Sequence, residues 1–417
     1  MSYVPIVIDA GMLQQQPVGE TLTPVGDLDV VEYKILSSTA DLILQPAAEK
    51  ALRADSAGNT RGKYAVDLQQ LRTNVAFVAA GDYSVIGGGY DNSVAGDYGT
   101  VCGGYDNNVT HDYGTIAGGT ESDVLHTYGT VGGGYSHTVE GQYGTINGGY
   151  TNSVANLCGT VGGGATNAVT GDYATISGGR VNDITANYGT VGGGYDNNVT
   201  AIDGTVCGGR ENDISGLYGT VGGGLRNDVE SEGGAIGGGA DNTVTGDYGA
   251  ISGGSFNEVS GDYGSASGYY AKADKYGQHA AAGGKIAALG DAQVSQYILR
   301  NSTTDANSVV LYLDGTSAIL TIPTDTTWAF DIVVVARRTD SDGESARYEY
   351  SGCIDNNAGT TALVGAVQNI ATDIEDSDWT VTVTADNTGD ALRLQVVGEE
   401  DKTIYWVAVV RTVEVTG

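Results

Sequence analysis

An all-β chain is predicted: a β-solenoid or β-roll shaft built from fifteen-residue repeats, followed by a C-terminal β-sandwich of jelly-roll type. Three observations predict it. Twelve units of fifteen residues run without insertion or deletion from Asp82 to Gly261. Glycine contributes 67 of the 417 residues while charged residues are held to 17%, which is not the composition of an ordinary globular enzyme. From about residue 291 the glycines thin out and β-branched alternation takes over.

The repeat is read by columns, with Asp82 as position 1. Position 5 is Ile or Val in every unit, from Ile86 and Val101 to Ile251, and position 13 obeys the same rule from Val94 to Val259. Positions 7 and 8 are glycine throughout, and position 11 is Asn except at Ser122 and His137. A fixed period of this kind belongs to solenoids, where each unit is one turn and buries its apolar residues only against its neighbours. Alternation in "YGTVG" turns position 5 inward and positions 2 and 4 outward, and a second short strand carries position 13. The glycine pair suits a corner with φ > 0, Asn at 11 suits an αL or Asx bend, and stacked Asn side chains can hydrogen-bond along the column.

Two aliphatic side chains per turn make a thin core, so partner chains are expected. The outward stripe Tyr83, Tyr98, Tyr113, Tyr128, Tyr143, Tyr173, Tyr188, Tyr218 and Tyr248 is the predicted interface of a homotrimer, with a solvent-facing ladder as the alternative. If each chain coils by itself, twelve turns span roughly 58 Å; if three chains interleave, roughly 170 Å. The compact form is expected.

Flanking the repeats are residues 1–80, an N-terminal region with strand-like runs "VPIVIDAG" and "LDVVEYKIL"; 262–290, a degenerate transition; and 291–417. The stretch "YAVDLQQLRTNV" reads as one or two helical turns or as an extended lead-in. In the last region "VVLYLDGTSAILTI" reads as a hairpin with Asp314-Gly315 at its turn, and six further runs supply strands. Trp328, Trp379 and Trp406 sit inside apolar strands and are expected in the core. Loops Asp340 to Arg347, Asp355 to Thr360 and Asp386 to Asp390 are the expected places of surface contact, with Asp342, Arg347, Asn356, Asn357 and Asn387 as candidates and Tyr348 and Tyr350 as stacking platforms for sugars.

Chemistry is sparse. The formal charge of −32 (19 basic against 51 acidic residues) opposes binding to nucleic acid or anionic membranes, and no apolar run is long enough to insert. No basic region followed by an apolar stretch opens the sequence, so synthesis in a cytoplasm without a signal peptide is expected. The four cysteines lack ligand spacing and are expected as small buried thiols. The histidines are scattered, "DIEDSD" reads as a charged loop, and "GGGYDN" lacks the nonapeptide period of a calcium roll, so neither metal nor cofactor is expected. Recurring acids such as Asp97 with Asp106 are the one pattern that could serve glycan hydrolysis; as repeated corners they read as solvated, and the chain is not expected to be an enzyme.

The "YGTVGGGxxNxV" units, loosening into "YGSASGYYAKADKYGQHAAAGG" from Tyr263, resemble the glycine-rich head repeats of trimeric autotransporter adhesins. That resemblance implies three chains, each winding a β-roll, packed side by side. The lead-in "YAVDLQQLRTNVAFVAAGDYSVIGGG", the repeats and "WAFDIVVVARRTDSDGESARYEYSG" together resemble phage tail fibres. This implies a virion protein whose residues 1–80 dock on a baseplate or tail protein, and whose C-terminal domain meets a host-cell glycan or outer-membrane component. A tailspike-like glycan hydrolase and an ice-binding or adhesin solenoid are the alternatives.

Overall fold

The computed structural model describes residues 59–417 apart from 70 and 342, together with the backbone of strands Ile6–Asp9, Met12–Gln15 and Leu52–Arg53. Ile6–Asp9 and Met12–Gln15 pair as an antiparallel hairpin; "LDVVEYKIL" lies outside the described residues. Every regular element among the described residues is a β-strand.

In the repeat each turn contributes two strands of two residues. Positions 4 and 5 form one parallel ladder (Thr100↔Thr115, Val101↔Ile116) and positions 12 and 13 a second (Asn108↔Asp123, Val109↔Val124). Position 9 adds a file of single bridges, as in Tyr90↔Tyr105. Each partner stands one period along the same chain, so the chain coils by itself. The Ile and Val side chains at positions 5 and 13 face inward and are fully buried in one continuous file.

Asparagine holds the second file. Asn197 Nδ2 donates to the Gly193 carbonyl (3.0 Å) and to that of Gly209 in the next turn (3.1 Å), while its Oδ1 accepts from the backbone N–H (3.1 Å) and Nδ2 (2.9 Å) of Asn212. A buried amide with both ends used this way satisfies backbone groups that the corner leaves unpaired. The expected αL bend at position 11 is therefore corrected. Positive φ falls one residue earlier, at Asp91, Asp106 and Asp196 (57°, 54° and 57°), and again at the position 2 tyrosines, for example Tyr98 (58°). Tyr98 thus stands on a corner instead of on the strand, and its N–H is satisfied by the Asp82 carbonyl of the preceding turn (2.8 Å).

His137 interrupts the amide file. Its Nδ1 accepts from the Asn152 N–H (3.1 Å), its Nε2 is buried without a partner, and burial lowers its pKa below the ordinary 6.5. His137→Asn is expected to stabilise the shaft by about 1–2 kcal/mol by restoring the missing donors. The unfolded chain takes up a proton that the folded imidazole resists, so the advantage of the variant should widen as pH falls through 6.5 and stay constant above it. Denaturant titrations of both proteins at pH 5 and pH 8 read this out.

The start of the shaft is closed by polar side chains. Gln69 caps the amide file, with Nε2 donating to the Asn92 carbonyl (2.8 Å) and Oε1 accepting from the Asn92 N–H (3.0 Å), beside a buried Arg61–Asp67 ion pair (2.9 Å). Val66–Asp67 settles the lead-in as extended; it pairs with Val85–Ile86. Toward the other end the period shortens to fourteen (Ser265↔His279), and the strands lengthen to Ala250–Ser255, Ser265–Tyr269 and His279–Gly283. Strand Ala292–Thr303 then pairs antiparallel with His279–Gly283, so the terminal region continues the shaft sheet.

In that region the large sheet runs Ala292–Thr303, Ile404–Thr416, Thr326–Arg338, Ser345–Asn357, with Thr360–Leu363 and Gln368–Ile374 on the last. A second sheet orders Ser308–Val310, Ala391–Val397, Thr380–Asp386. Alternate side chains of both enclose one core, in which all three tryptophans are buried. The predicted hairpin at Asp314-Gly315 is corrected: Ser308–Val310 pairs with Ala391–Val397, and residues 313–318 form a closed turn. Asp314 accepts from the N–H groups of Thr316, Ser317 and Ala318 (2.8, 2.8 and 2.9 Å), which holds its carboxyl far below the usual range.

The cysteine expectation is also corrected. Cys102 and Cys207 occupy position 6, which alternation turns outward, and both are exposed; Cys158 and Cys353 are half-buried.

Candidate functional site

Register fixes which loops share an end of the terminal region. Ala292↔Val415 and Thr326↔Thr416 lie next to the shaft, while Thr303↔Ile404 and Arg338↔Ile404 mark the far end. The hairpin turn between Arg338 and Ser345 is therefore distal. The turns at 358–359 and 387–390 are on the shaft side, where Ala358 N–H donates to Asp325 (2.9 Å) and Asn387 Oδ1 accepts from Thr361 N–H (2.8 Å). The three predicted contact loops do not converge on one end.

Of the candidate residues, Tyr348 is corrected from surface platform to core: it is 3% exposed, its hydroxyl donates to the Trp379 carbonyl (2.7 Å), and burial pushes its pKa up to about 12. Tyr350 is half-buried and donates to the Val381 carbonyl (3.1 Å). Asn356 is also corrected, since it is buried with Nδ2 on the Ile322 carbonyl (3.0 Å). Arg347, Asn357 and Asn387 are exposed; Arg347 pairs with Asp373 (3.0 Å) and Glu349. Asp342 lies outside the described residues.

What the distal end assembles was missed from sequence. Lys402 bonds Asp376 (2.7 Å), Glu344 (3.0 Å) and Glu399, and Arg338 bonds Asp340 (2.8 Å) and Glu344 (3.3 Å). Three loops are tied by one ammonium, which holds the Asp376 carboxyl down to about 2. "DIEDSD" reads as a charged loop because its cation stands more than twenty residues away in sequence, at Lys402.

At the joint with the shaft a second polar group is enclosed. Glu414, buried, accepts from Tyr297 Oη (2.9 Å), Gln293 Nε2 (3.0 Å) and Thr412 Oγ1 (2.5 Å) beside a chamber of about 180 Å³ lined by Lys272, Asp274 and Trp328. Register alone explains its assembly, since Gln293 and Trp328 flank Glu414 on neighbouring strands.

On the shaft, position 1 carboxylates cap the preceding turn, as where Asp97 Oδ1 accepts from Asp82 N–H (2.8 Å). Asp106 sits on a different corner, in αL geometry, so the predicted pair does not form one site. Asp213 and Asp228, by contrast, are register partners on adjacent turns, and burial with the neighbouring Glu230 and Asp213 pushes the Asp228 carboxyl up to about 6. A carboxyl poised near neutrality can give or take a proton at working pH. The tyrosine stripe stands outward with its rings stacked on one another, 4.9–5.0 Å apart from Tyr83 to Tyr143.

No family model matches the sequence, and no curated protein does either. Solved structures do. One is the tailspike protein gp49 from Acinetobacter baumannii bacteriophage Fri1, a capsular polysaccharide depolymerase, at 12% identity and a TM-score of 0.24, over 84% of this chain and 67% of that one. Others are the tailspike of Acinetobacter phage vB_ApiP_P1 (8% identity, TM-score 0.25, 87% and 78% of the two chains) and that of Acinetobacter baumannii phage AM24 (8%, 0.22, 86% and 74%). The expectation that the chain is not an enzyme is corrected by these neighbours, which are tailspikes and include a depolymerase.

Proposed function

We propose that the chain is a phage tail protein, carried on the virion, that recognises a polysaccharide of the bacterial surface. Residues 1–80 attach it to the tail or baseplate, the coil from 81 to 261 is a spacer, and residues 291–417 are presented to the cell by a homotrimer. The observation that carries this reading is the hydrogen-bonded join between His279–Gly283 and Ala292–Thr303, through which a stiff shaft holds a separately cored domain at its end. Retention of the full chain on immobilised capsular polysaccharide from a panel of bacteria tests it; retention on none of them would count against it.

The pairing of Asp213 with Asp228 across adjacent turns, with Glu230 two residues on and the Asp228 carboxyl raised, favours a second activity on the same ligand, cleavage of the bound glycan. Wild-type protein should then release oligosaccharides from the polysaccharide it binds, and Asp228→Asn should lower the rate by about 10²–10⁴-fold while retention is unchanged. Release that is equal in both proteins would remove Asp228 from the chemistry.

A further inference from the structure

We propose that the chain meets two further copies of itself across one continuous face, uncharged along the shaft and largely apolar beyond it. That face consists of positions 4 and 6 of the repeat and, past the joint, the outer side of the large terminal sheet. The inference rests on the trimeric reading above and says where its contact lies.

Charge singles the face out. Between Asp82 and Gly261 there are 20 acidic residues against three arginines, and each acid stands at position 1, 2, 10, 12 or 14. Positions 4 and 6 carry no Asp, Glu, Lys or Arg in any of the twelve units, and nothing at position 6 is larger than Asn147. Two copies that each carry −32 repel on approach except where the touching surfaces are free of that charge. Small residues there also let the two sheets come close.

The terminal sheet extends the face. Ala281 at the shaft's last strand is in register with Val294, Val294 with Val413, and Val413 with Ala329. The exposed side of these strands carries Val294, Ile298, Val333, Val335, Val407 and Val413, each 37–62% exposed, which is an apolar patch of the kind that marks an interface. Within it Arg411 and Asp331 are register partners, yet no ion pair joins either to another described residue. In a symmetric contact the guanidinium of one copy can meet the carboxylate of the next. Two shallow hollows of about 380 Å³ each open on this same face, one beside Val294 and Val413 and one beside Ala235 and Ala250, and give a neighbouring copy room to interlock.

The tyrosine stripe is the less suitable surface. Its ring faces already cover one another, and the position 1 acids Asp82, Asp97 and Asp112 run beside it, so symmetric approach there would bring columns of like charge together.

The test is the mass in solution of three full-length proteins by light scattering, with far-UV circular dichroism to confirm folding. Wild type should be trimeric, about 128 kDa (three times 42.6 kDa). Thr190→Glu combined with Val413→Glu, both at exposed sites, should give the 42.6 kDa monomer, and Tyr113→Ser should stay trimeric. A monomeric wild type defeats the trimeric reading itself. A trimeric wild type whose face variant is also trimeric, or whose Tyr113→Ser variant dissociates, leaves that reading standing and overturns this one. If the double variant does not fold, a thiol-specific bismaleimide on wild type decides: exposed Cys102 and Cys207 lie on the face, so cross-linked chains that disappear in Cys102→Ser with Cys207→Ser support the proposal. A trimer that yields no such cross-link overturns it.

Discussion

Gly194→Ala should destabilise the shaft by about 3–5 kcal/mol, whereas Gly189→Ala, five residues away, should cost less than about 1 kcal/mol. Gly194, at position 8, has φ near +101°, and a Cβ there would meet the Gly209 carbonyl oxygen at 2.1 Å and Asn197 Nδ2 at 2.7 Å. That oxygen is backbone and also accepts from the Asn197 amide, so relief would break the file that holds successive turns together. At position 3 a Cβ on Gly189 would meet no backbone atom within 3 Å; it would meet the Ile184 Cγ2 methyl at 2.5 Å, a side chain that must shift, and Ala174 shows that the column allows this, since it fills the same position in another unit while fully buried. Guanidinium titrations followed by circular dichroism compare the two. Equal midpoints would mean that the glycine column is not held by its carbonyl neighbour. Because each turn touches only the next, the damage should also divide the shaft into two segments that melt apart.

Trp406→Ala should cost about 3–5 kcal/mol in the terminal region alone. The indole is fully buried, donates from Nε1 to Thr303 Oγ1 (3.0 Å), and packs on Trp379 with ring centroids 5.9 Å apart. Removing it opens a cavity at the meeting point of the two sheets and leaves the Thr303 hydroxyl without that donor. The aliphatic file of the shaft is a separate cluster, so its melting should be unmoved. Tryptophan fluorescence reports the first transition, since all three tryptophans lie in that region, and far-UV circular dichroism reports the shaft. A single shifted transition in both signals would show the two cores to be one cooperative unit.

Much of the fold was legible because the repeat writes its own alignment: a residue recurring every fifteen positions must face the same way in every turn, so the buried Ile and Val files and the Asn column follow from spacing. The corners were not legible. Tyr98 and Asp106 occupy positive φ, where glycine is the default, and only the tertiary hydrogen bond from each to the previous turn compensates the strain. Tyr348 alternates with Arg347 and Glu349, and period-2 spacing therefore already turns it inward toward Trp379; it is misread when grouped with the neighbouring loop instead of with the strand. Lys402 and its acids come from loops that only folding brings together, and Asp213 with Asp228 belongs to a column whose neighbours include Ala168 and Thr243. Periodicity marks a column and cannot mark the two members of it whose protons interact. The identity of outward-facing Cys102 at position 6 likewise follows from alternation with buried Val101, once thiol burial is not assumed from residue type.

The most direct test of the division of labour between spacer and tip is adsorption to bacterial cells of full-length wild type and full-length Trp406→Ala, assayed where the variant's terminal region is melted and its shaft is intact. Wild type should adsorb to at least one encapsulated strain and the variant to none. Adsorption of the variant at wild-type strength would place recognition on the coil and contradict the account.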